Sequence, residues 1–242
     1  MVLTDVDHIP MQRLEGGGTL RTWKMPEGTE RCELAFKTNG RPLNARVELW
    51  EGPVRTIHTG YIRNQDGALS PYKCTLKFKP GPWTVQVTND GPYEFQIEAG
   101  VAVADPTKNE EIGKKTDVIF AKTQRVLLQG GNDQGVGGQV HSFPIDASVQ
   151  SVNVVASSQD VGKRAMKIQI EAIKGPNEPK QKYEIECAGV AQPYMCTIPT
   201  PGSGWTLRIR SITYLEYPCE IAVVPAVVDE SQNPSDVVVT QW

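Results

Sequence analysis

Residues 47–53 read Val-Glu-Leu-Trp-Glu-Gly-Pro, and a looser copy, Ile-Glu-Ala-Ile-Lys-Gly-Pro, occupies residues 170–176. Outward from this stretch, residues 71–76 (Pro-Tyr-Lys-Cys-Thr-Leu) return as residues 193–198 (Pro-Tyr-Met-Cys-Thr-Ile). The offsets are 170 − 47 = 123 and 193 − 71 = 122 residues, so the two landmarks keep nearly one register. These ordered matches predict that the chain holds two copies of one unit.

The register continues on both sides of these landmarks. Residues 83–87 (Trp-Thr-Val-Gln-Val) return 122 residues later as Trp-Thr-Leu-Arg-Ile, and the Gly-Gly pair at 17–18 returns 120 residues later. A unit of this length can bury its own core, whereas solenoid repeats are only about 20–50 residues long. We therefore predict an internal duplication, with a first domain at 1–104, a polar linker at 105–115, a second domain at 116–228 and a C-terminal tail at 229–242.

Alternation with a period of two residues marks most of the chain as β-strand. Cys32, Leu34 and Phe36, for example, alternate with polar neighbours, as in a half-buried strand. The 22 Gly and 18 Pro separate many short segments of this kind, which is typical of antiparallel sandwiches. The predicted fold class is all-β, with two tandem, structurally similar antiparallel β-sandwich domains.

Composition excludes several classes of function. A hydrophobic content of 39% and a charged content of 22% are typical of a globular protein. The net charge is −3 and Lys and Arg do not cluster, so we predict no nucleic-acid binding. No apolar run reaches the roughly 18 residues that a membrane span needs. The N-terminus resembles neither a signal peptide nor a transit peptide, so we expect a cytosolic protein or one whose targeting segment is absent from this sequence.

The five cysteines favour a reducing compartment, because they form no Cys-x-x-Cys motif and no N-glycosylation acceptor accompanies them. Cys74 and Cys196 match between the two copies and lie in strand-like patterns. We interpret this pair as small apolar residues of the core.

No catalytic or metal-binding set stands out in the sequence. His8, His58 and His141 are far apart and form no zinc-ligand pattern. The Gly-rich segment 130–138 lacks the Lys-Ser/Thr pair of a phosphate-binding loop, so we interpret it as a flexible loop. We predict no cofactor, no metal ion and no enzymatic activity.

Matched acidic residues leave one catalytic alternative. Glu48 matches Glu171, and Glu94 matches Glu220. Two carboxyl groups about 5–10 Å apart in a cleft could cleave a glycosidic bond. Matched acids in duplicated domains are more often solvated positions on a strand face, and the distance between the carboxyl groups decides between the two readings.

Four aromatic residues are predicted as anchors of the core. Trp83 and Trp205 match each other and alternate with polar neighbours, and Trp23 matches Phe143. Large aromatic side chains at matched positions of alternating strands bury much apolar surface. Equivalent buried positions are therefore expected for Trp83 and Trp205.

Trp50 is a candidate contact with a ligand or another subunit. It shares a strand face with Glu48, opposite Val47 and Leu49. A large apolar side chain on the more polar face of a sandwich is a frequent site of interaction.

The C-terminal tail is a second candidate for assembly. Thr-Asp-Val at 4–6 returns at 116–118, and Ser-Asp-Val at 235–237 is a third such start with no domain after it. The tail is rich in β-branched residues and ends in a large aromatic residue, which favours strand addition. We predict that it packs as a strand, either on its own second domain or on a neighbouring chain, through Val237, Val238, Val239 and Trp242.

The motif at 47–53, residues 71–76 and their duplicated all-β setting resemble the pyrenoid shell proteins of diatoms and related algae. The resemblance implies two similar β-domains per chain and chains that tile into a homo-oligomeric sheet or tube. It also implies a place in the chloroplast stroma at the periphery of the Rubisco-containing pyrenoid, where a shell supports CO2 fixation and meets Rubisco or matrix components. The second copy has Ile173 in place of Trp50, so any role of this tryptophan belongs to the first copy.

Two functions of different classes follow. The first is a structural, self-assembling, non-enzymatic shell protein. The alternative is a carbohydrate- or ligand-binding tandem β-sandwich module, because sandwiches often carry sites on loops or on an exposed aromatic residue.

Overall fold

A computed structural model describes residues 8–123, 125–131, 137–160, 163–176, 179–213 and 218–229. The first half of the chain forms eight strands: β1 (Gln12–Leu14), β2 (Thr19–Lys24), β3 (Arg31–Lys37), β4 (Leu43–Glu51), β5 (Arg55–Asn64), β6 (Tyr72–Lys77), β7 (Trp83–Asn89) and β8 (Ile97–Val103). Helix α1 (Pro106–Lys122) follows. The second half forms eight more strands: β9 (Val126–Leu128), β10 (Val140–Pro144), β11 (Val149–Ser158), β12 (Met166–Lys174), β13 (Pro179–Cys187), β14 (Tyr194–Pro199), β15 (Trp205–Ser211) and β16 (Cys219–Val228).

The sixteen strands form two eight-stranded sheets. Sheet A has the order β1-β8-β3-β6-β14-β11-β16-β9, and sheet B has the order β10-β15-β12-β13-β5-β4-β7-β2. Every neighbouring pair is antiparallel. The prediction of an all-β antiparallel sandwich is confirmed, and the arrangement is jelly-roll-like.

The two halves of the chain share both sheets. Strand β6 pairs with β14 in sheet A, and β5 pairs with β13 in sheet B. In both sheets, a strand of the first half and the strand numbered eight higher lie at the same distance from opposite edges. In sheet B, for example, β2 and β10 are the two edge strands, and β5 and β13 are the two central strands. This order is what two copies of one eight-stranded unit would give. The duplication itself, and the domain boundaries drawn from it, stay predictions.

One hydrophobic core runs between the sheets through both halves. Cys32, Leu34 and Phe36 of β3 point into this core, as their alternation predicts. The prediction of a half-buried strand is wrong, because the N-terminal segment and helix α1 bury the other face of β3. Val47 and Leu49 of β4 are fully buried in the same layer. Apolar residues at every second position thus bury one face of each strand, which is the main stabilising term of such a sandwich.

Helix α1 was not foreseen, and its first part occupies the predicted linker at 105–115. Asp105 caps the helix because its side chain accepts a hydrogen bond of 2.8 Å from the backbone N–H of Lys108, and Pro106 stands in the first turn. Ile112 and Ile119 of the helix lie on the outer face of sheet A, against residues of β11, β14 and β16: Val155, Met195 and Ala222. The helix therefore packs on the outer face of sheet A over strands of the second half.

The N-terminal segment covers another part of the same outer face. Ile9 and Met11 pack against Ala35 of β3 and Ala102 of β8. The described parts of the chain that cover a sheet from outside thus lie on sheet A, at both of its halves.

Candidate functional site

A polar cluster lies at the junction of the two halves, inside the core. The Tyr72 hydroxyl is 3.0 Å from the Tyr194 hydroxyl, and Cys74 lies opposite Cys196 across the β6–β14 pair. These residues are the ones that match in the sequence at an offset of 122, so the structure brings the matched residues into contact with each other.

The thiols of this cluster are poorly suited to nucleophilic chemistry. All five cysteines are free and buried. Burial raises the pKa of Cys196 to about 12 and holds the pKa of Cys74 well above its ordinary value, so neither thiol is a thiolate near neutral pH. The interpretation of Cys74 and Cys196 as core residues agrees with these positions.

His58 is also buried in the core. Its Nδ1 lies 2.9 Å from the Cys187 sulfur, and its Nε2 has no hydrogen-bond partner among the described residues. Burial lowers the pKa of His58 to about 3, so the imidazole is neutral at ordinary pH. His8, at the surface, and His141, half-buried in β10, lie on other elements. Within the described ranges no group of three His, Cys, Asp or Glu side chains could hold a metal ion.

The matched tryptophans occupy similar environments. Trp83 is 1% exposed and donates its indole N–H to the carbonyl oxygen of Lys79 at 2.5 Å. Trp205 is 6% exposed and donates in the same way to Pro201 at 3.0 Å. Each indole N–H thus binds the backbone carbonyl of the residue four positions earlier, which fixes the preceding loop to the ring.

The other two predicted anchors differ from each other. Phe143 of β10 is 2% exposed. Trp23 of the edge strand β2 is half-buried and packs against the rim of the core. The role of the four aromatic residues as anchors stays a prediction, which stability measurements can test.

Trp50 lies on the outer face of sheet B, between Thr84 of β7 and Thr56 of β5. The side chain is half-buried, and its indole Nε1 is buried without a hydrogen-bond partner in the described part of the chain. The polar group that would donate to a sugar hydroxyl is therefore turned away from solvent. The remaining predicted assembly contacts, Val237, Val238, Val239 and Trp242, lie outside the described residues, as do residues 132–136 of the Gly-rich segment.

The matched acids do not form a carboxylate pair. Glu48 of β4 accepts a hydrogen bond of 2.8 Å from Gln86, and Glu171 of β12 forms an ion pair of 2.6 Å with Arg208. Strands β5 and β13 lie between them, and three strand spacings correspond to about 14 Å. Glu94 lies in the β7–β8 loop, whereas Glu220 of β16 pairs with Arg125 at 2.6 Å. Glu48 and Glu171 are thus farther apart than the glycosidase geometry requires.

The outer face of sheet B is broad and rich in basic side chains. Along its strands, the outward positions carry eight basic residues: Lys24, Arg46, Arg63, Lys167, Lys180, Lys182, Arg208 and Arg210. They carry four acidic residues: Glu48, Glu171, Glu184 and Glu186. This face is therefore more positive than the chain as a whole, which has a net charge of −3.

A continuous row of paired residues crosses this face from edge to edge. It runs Leu20, Thr88, Arg46, Tyr61, Glu184, Gln169, Arg210, Val140, one residue from each strand. Both terminal members are aliphatic and exposed, Leu20 by 54% and Val140 by 50%. The row thus ends in an apolar side chain at each edge of the sheet.

The outer face of sheet A holds a buried ion cluster that the sequence did not reveal. The Glu33 side chain is fully buried, with its carboxylate 2.8 Å from the Lys108 Nζ of α1 and 3.3 Å from the His8 Nε2. A buried carboxylate without such a partner would cost several kcal/mol. The cluster therefore ties both the helix and the N-terminal segment to β3.

Arg31 makes a second tie between β3 and the helix. Its Nε donates to the Asn109 side-chain oxygen at 2.9 Å, and its Nη1 donates to the Thr75 hydroxyl at 3.2 Å. Burial lowers the pKa of Arg31 to about 10. Because α1 begins on the first half and packs on the second, it spans the junction of the two halves.

Each lateral side of the sandwich ends in two short edge strands. On one side β1 and β2 are joined by a turn in which the Gly16 N–H donates to the Tyr93 carbonyl at 3.2 Å. On the other side β9 and β10 are connected through the Gln139 N–H, which donates to the Gln129 carbonyl at 3.0 Å. No strand of the described residues pairs with the outer edges of these four strands. Within the described ranges these edges are therefore unpaired, and unpaired edge strands favour strand addition.

These features define a class: an all-β, two-sheet antiparallel sandwich with buried thiols, in which the described strands leave the sheet edges unpaired. No helix among the described residues is both long and apolar enough to cross a membrane. Residues 5–225 match the family model described as diatom pyrenoid shell protein, and the chain belongs to this family. The family is one of structural shell proteins, and it implies a place in the pyrenoid of the chloroplast.

Other comparisons add little. No curated protein matches the sequence. Among solved structures, the chain is similar to that of the infectious bursal disease virus Gt strain, with 8% identity, a TM-score of 0.25 and coverage of 92% of this chain and 41% of that one. The VP2 subviral particle of the same virus is 9% identical, with a TM-score of 0.22 and coverage of 100% of this chain and 44% of that one. An oxalate decarboxylase is 9% identical, with a TM-score of 0.20 and coverage of 91% of this chain and 76% of that one. The chain spans less than half the length of the virus chains, and TM-scores this low carry no argument.

Proposed function

We propose that the protein is a non-enzymatic building block that assembles with copies of itself into the sheet of a pyrenoid shell. Membership of the shell family over residues 5–225 supports this role. The shell would lie in the chloroplast stroma around the Rubisco-containing pyrenoid and support CO2 fixation, with Rubisco or matrix components as its inner partners.

The observation that carries the proposal is the continuity of both sheets across the two halves. Because β5 pairs with β13 and β6 pairs with β14, the two halves are joined by hydrogen-bonded strands in both sheets and not only by the connecting chain. Eight strands at the usual spacing make each sheet about 34 Å wide. Two sheets that share one core resist bending between the two halves of the chain. A subunit of a thin protein sheet needs this rigidity.

Negative-stain microscopy of the purified full chain tests the assembly. We expect extended sheets or tubes whose formation depends on salt, because charged side chains cover the outer face of sheet B. Monodisperse particles of the monomer mass, 26.6 kDa, across a series of salt concentrations and pH values would contradict the proposal.

The tail is proposed as a second linking element, on the sequence argument alone. Removing residues 229–242 separates its two alternatives. Lost assembly with an unchanged melting temperature supports a link between chains through Val237, Val238, Val239 and Trp242. A lowered melting temperature in a protein that still assembles supports a tail that folds back on its own chain.

A further inference from the structure

The two edges of sheet B run in opposite directions. Seven antiparallel steps lead from β10 to β2, so the first and last strands of the sheet point opposite ways. A second copy that is shifted along the sheet without rotation therefore brings its β10 beside β2 as an antiparallel neighbour. An odd number of strands would have given a parallel neighbour, which pairs slightly less well.

Among the described strands of sheet B, the exposed aliphatic residues lie at these same two edges, and Tyr61 of β5 is the exposed aromatic residue in the middle of the sheet. Leu20 of β2 and Val140 of β10 end the row that crosses the outer face, and each is at least half exposed. Joining β2 to the β10 of a second copy would place the two side chains on one face and close together. Cross-strand aliphatic pairs of this kind are stabilising, whereas each residue alone exposes apolar surface to water.

The charges of the two strands are compatible with this contact. Strand β2 carries Arg21 and Lys24, whereas β10 carries no Lys, Arg, Asp or Glu. No like charges would therefore oppose each other across the joint. Pro144 ends β10 and limits the pairing to residues 140–143, because proline has no N–H to donate.

We propose that β2 of one copy pairs with β10 of the next, so that sheet B continues from chain to chain along one direction of the assembly. This inference rests on the proposed function and names the surface and the partner, a second copy of this chain. The contact is head-to-tail, and contacts of that kind propagate without closing when no rotation accompanies them. The edges of sheet A, β1 and β9, are also opposite in direction and lie on the same two sides, so they can meet at the same joint.

Cysteine cross-linking tests the contact in the assembled full chain. The variant Leu20→Cys/Val140→Cys places one new thiol on each edge, while the native thiols are all buried. Thr22→Cys/Val140→Cys samples a register shifted by two residues on the same face. The matched control is Val54→Cys/Val140→Cys, because Val54 is 85% exposed in the β4–β5 turn, away from both edges.

After mild oxidation of assemblies seen by microscopy, we expect a ladder of covalent dimers, trimers and longer species in one edge register and none in the control. Assemblies that give no ladder in either edge register overturn the inference and leave the proposed function standing. A ladder from Leu20→Cys/Val238→Cys in place of both edge pairs overturns it in favour of the tail as occupant of β2. Failure of the unaltered chain to assemble removes the proposed function, and the inference with it.

Discussion

The hydroxyl groups of Tyr72 and Tyr194 lie 3.0 Å apart, and both side chains are fully buried where the two halves of the chain meet. The residues are 122 positions apart in the sequence and occupy matching places in the two predicted repeats. The pairing of β6 with β14 sets Cys74 opposite Cys196, and each tyrosine lies two residues from this point on its own strand, with its side chain in the core. The junction of the halves is therefore part of the core and has its own polar contacts.

Removing either hydroxyl should destabilise the protein measurably. Tyr72→Phe and Tyr194→Phe should each lower the free energy of unfolding by about 1–2 kcal/mol, because each leaves the other hydroxyl without this partner in the core. The double variant should lose less than the sum, since it leaves neither hydroxyl unpaired. Urea titration measures all three. Tyr93→Phe is the matched control, as Tyr93 is 75% exposed and should change stability by less than about 0.5 kcal/mol. Strictly additive losses would contradict a direct bond.

The matched tryptophans should be nearly equivalent in energy. Trp83→Ala and Trp205→Ala should each cost about 3–5 kcal/mol, since each removes a large buried ring and leaves a cavity. Each also frees the loop carbonyl that the indole N–H binds, on Lys79 or Pro201. Trp23→Ala, on an edge strand with a half-buried ring, should cost distinctly less. A loss below about 1 kcal/mol at Trp83 or Trp205 would show that the ring is no anchor.

Stability should fall on acidification through His58. Burial lowers the pKa of this residue to about 3 in the folded protein, whereas an exposed histidine in the unfolded chain has a pKa of about 6.5. Between these values the unfolded state binds a proton that the folded state does not, so each unit of falling pH costs up to about 1.4 kcal/mol. Above the unfolded value the two states bind equally and this contribution vanishes.

The pH effect can be isolated with His58→Gln, which cannot titrate in this range. Urea titrations at pH 7.5, 5.5 and 4.5 should show a smaller decline in the variant than in the unaltered protein, even if the variant is less stable at pH 7.5. Parallel declines in the two proteins would mean that acidic residues, not His58, set the acid sensitivity.

Helix α1 can be strengthened at Gly113. A Cβ built on this residue meets no atom within 4 Å, and alanine is the better helix former by about 1 kcal/mol. Gly113→Ala should therefore raise the melting temperature. Gly100→Ala is the contrasting variant, because its Cβ would lie 2.5 Å from the Ile9 Cγ2 and 2.9 Å from the Pro10 carbonyl oxygen. It should lower stability by displacing the N-terminal segment from sheet A. A stabilised Gly100→Ala protein would contradict the packing of Ile9 and Met11.

The class of fold could be predicted because alternation is a local property. Cys32, Leu34 and Phe36 face the core as their spacing indicates, and Val47 and Leu49 lie opposite Glu48 and Trp50. A strand turns each successive side chain to the other face, so the pattern of apolar residues states which face is buried.

Helix α1 was missed because its first ten residues are mostly polar, as in a linker, and its buried side is narrow. Ile112, Thr116 and Ile119 are its buried residues, too few to give a strong period of 3.6. The signal that could have found it is Asp105-Pro106, a capping residue followed by proline in the first turn. The ion cluster around Glu33 was beyond sequence reasoning, since Lys108 lies 75 positions away.

The sequence by itself determined that the chain is built of antiparallel strands, which face of each strand is buried, and to which family it belongs. These properties depend on residue spacing and on local motifs, which are the same however the strands are arranged in space. Only the tertiary structure decided that the halves share two continuous sheets, that Tyr72 meets Tyr194, and that Leu20 and Val140 end one row. Strand pairing depends on which strand edges meet. Every edge offers the same backbone N–H and C=O groups, so the sequence of a strand does not state which other strand it pairs with.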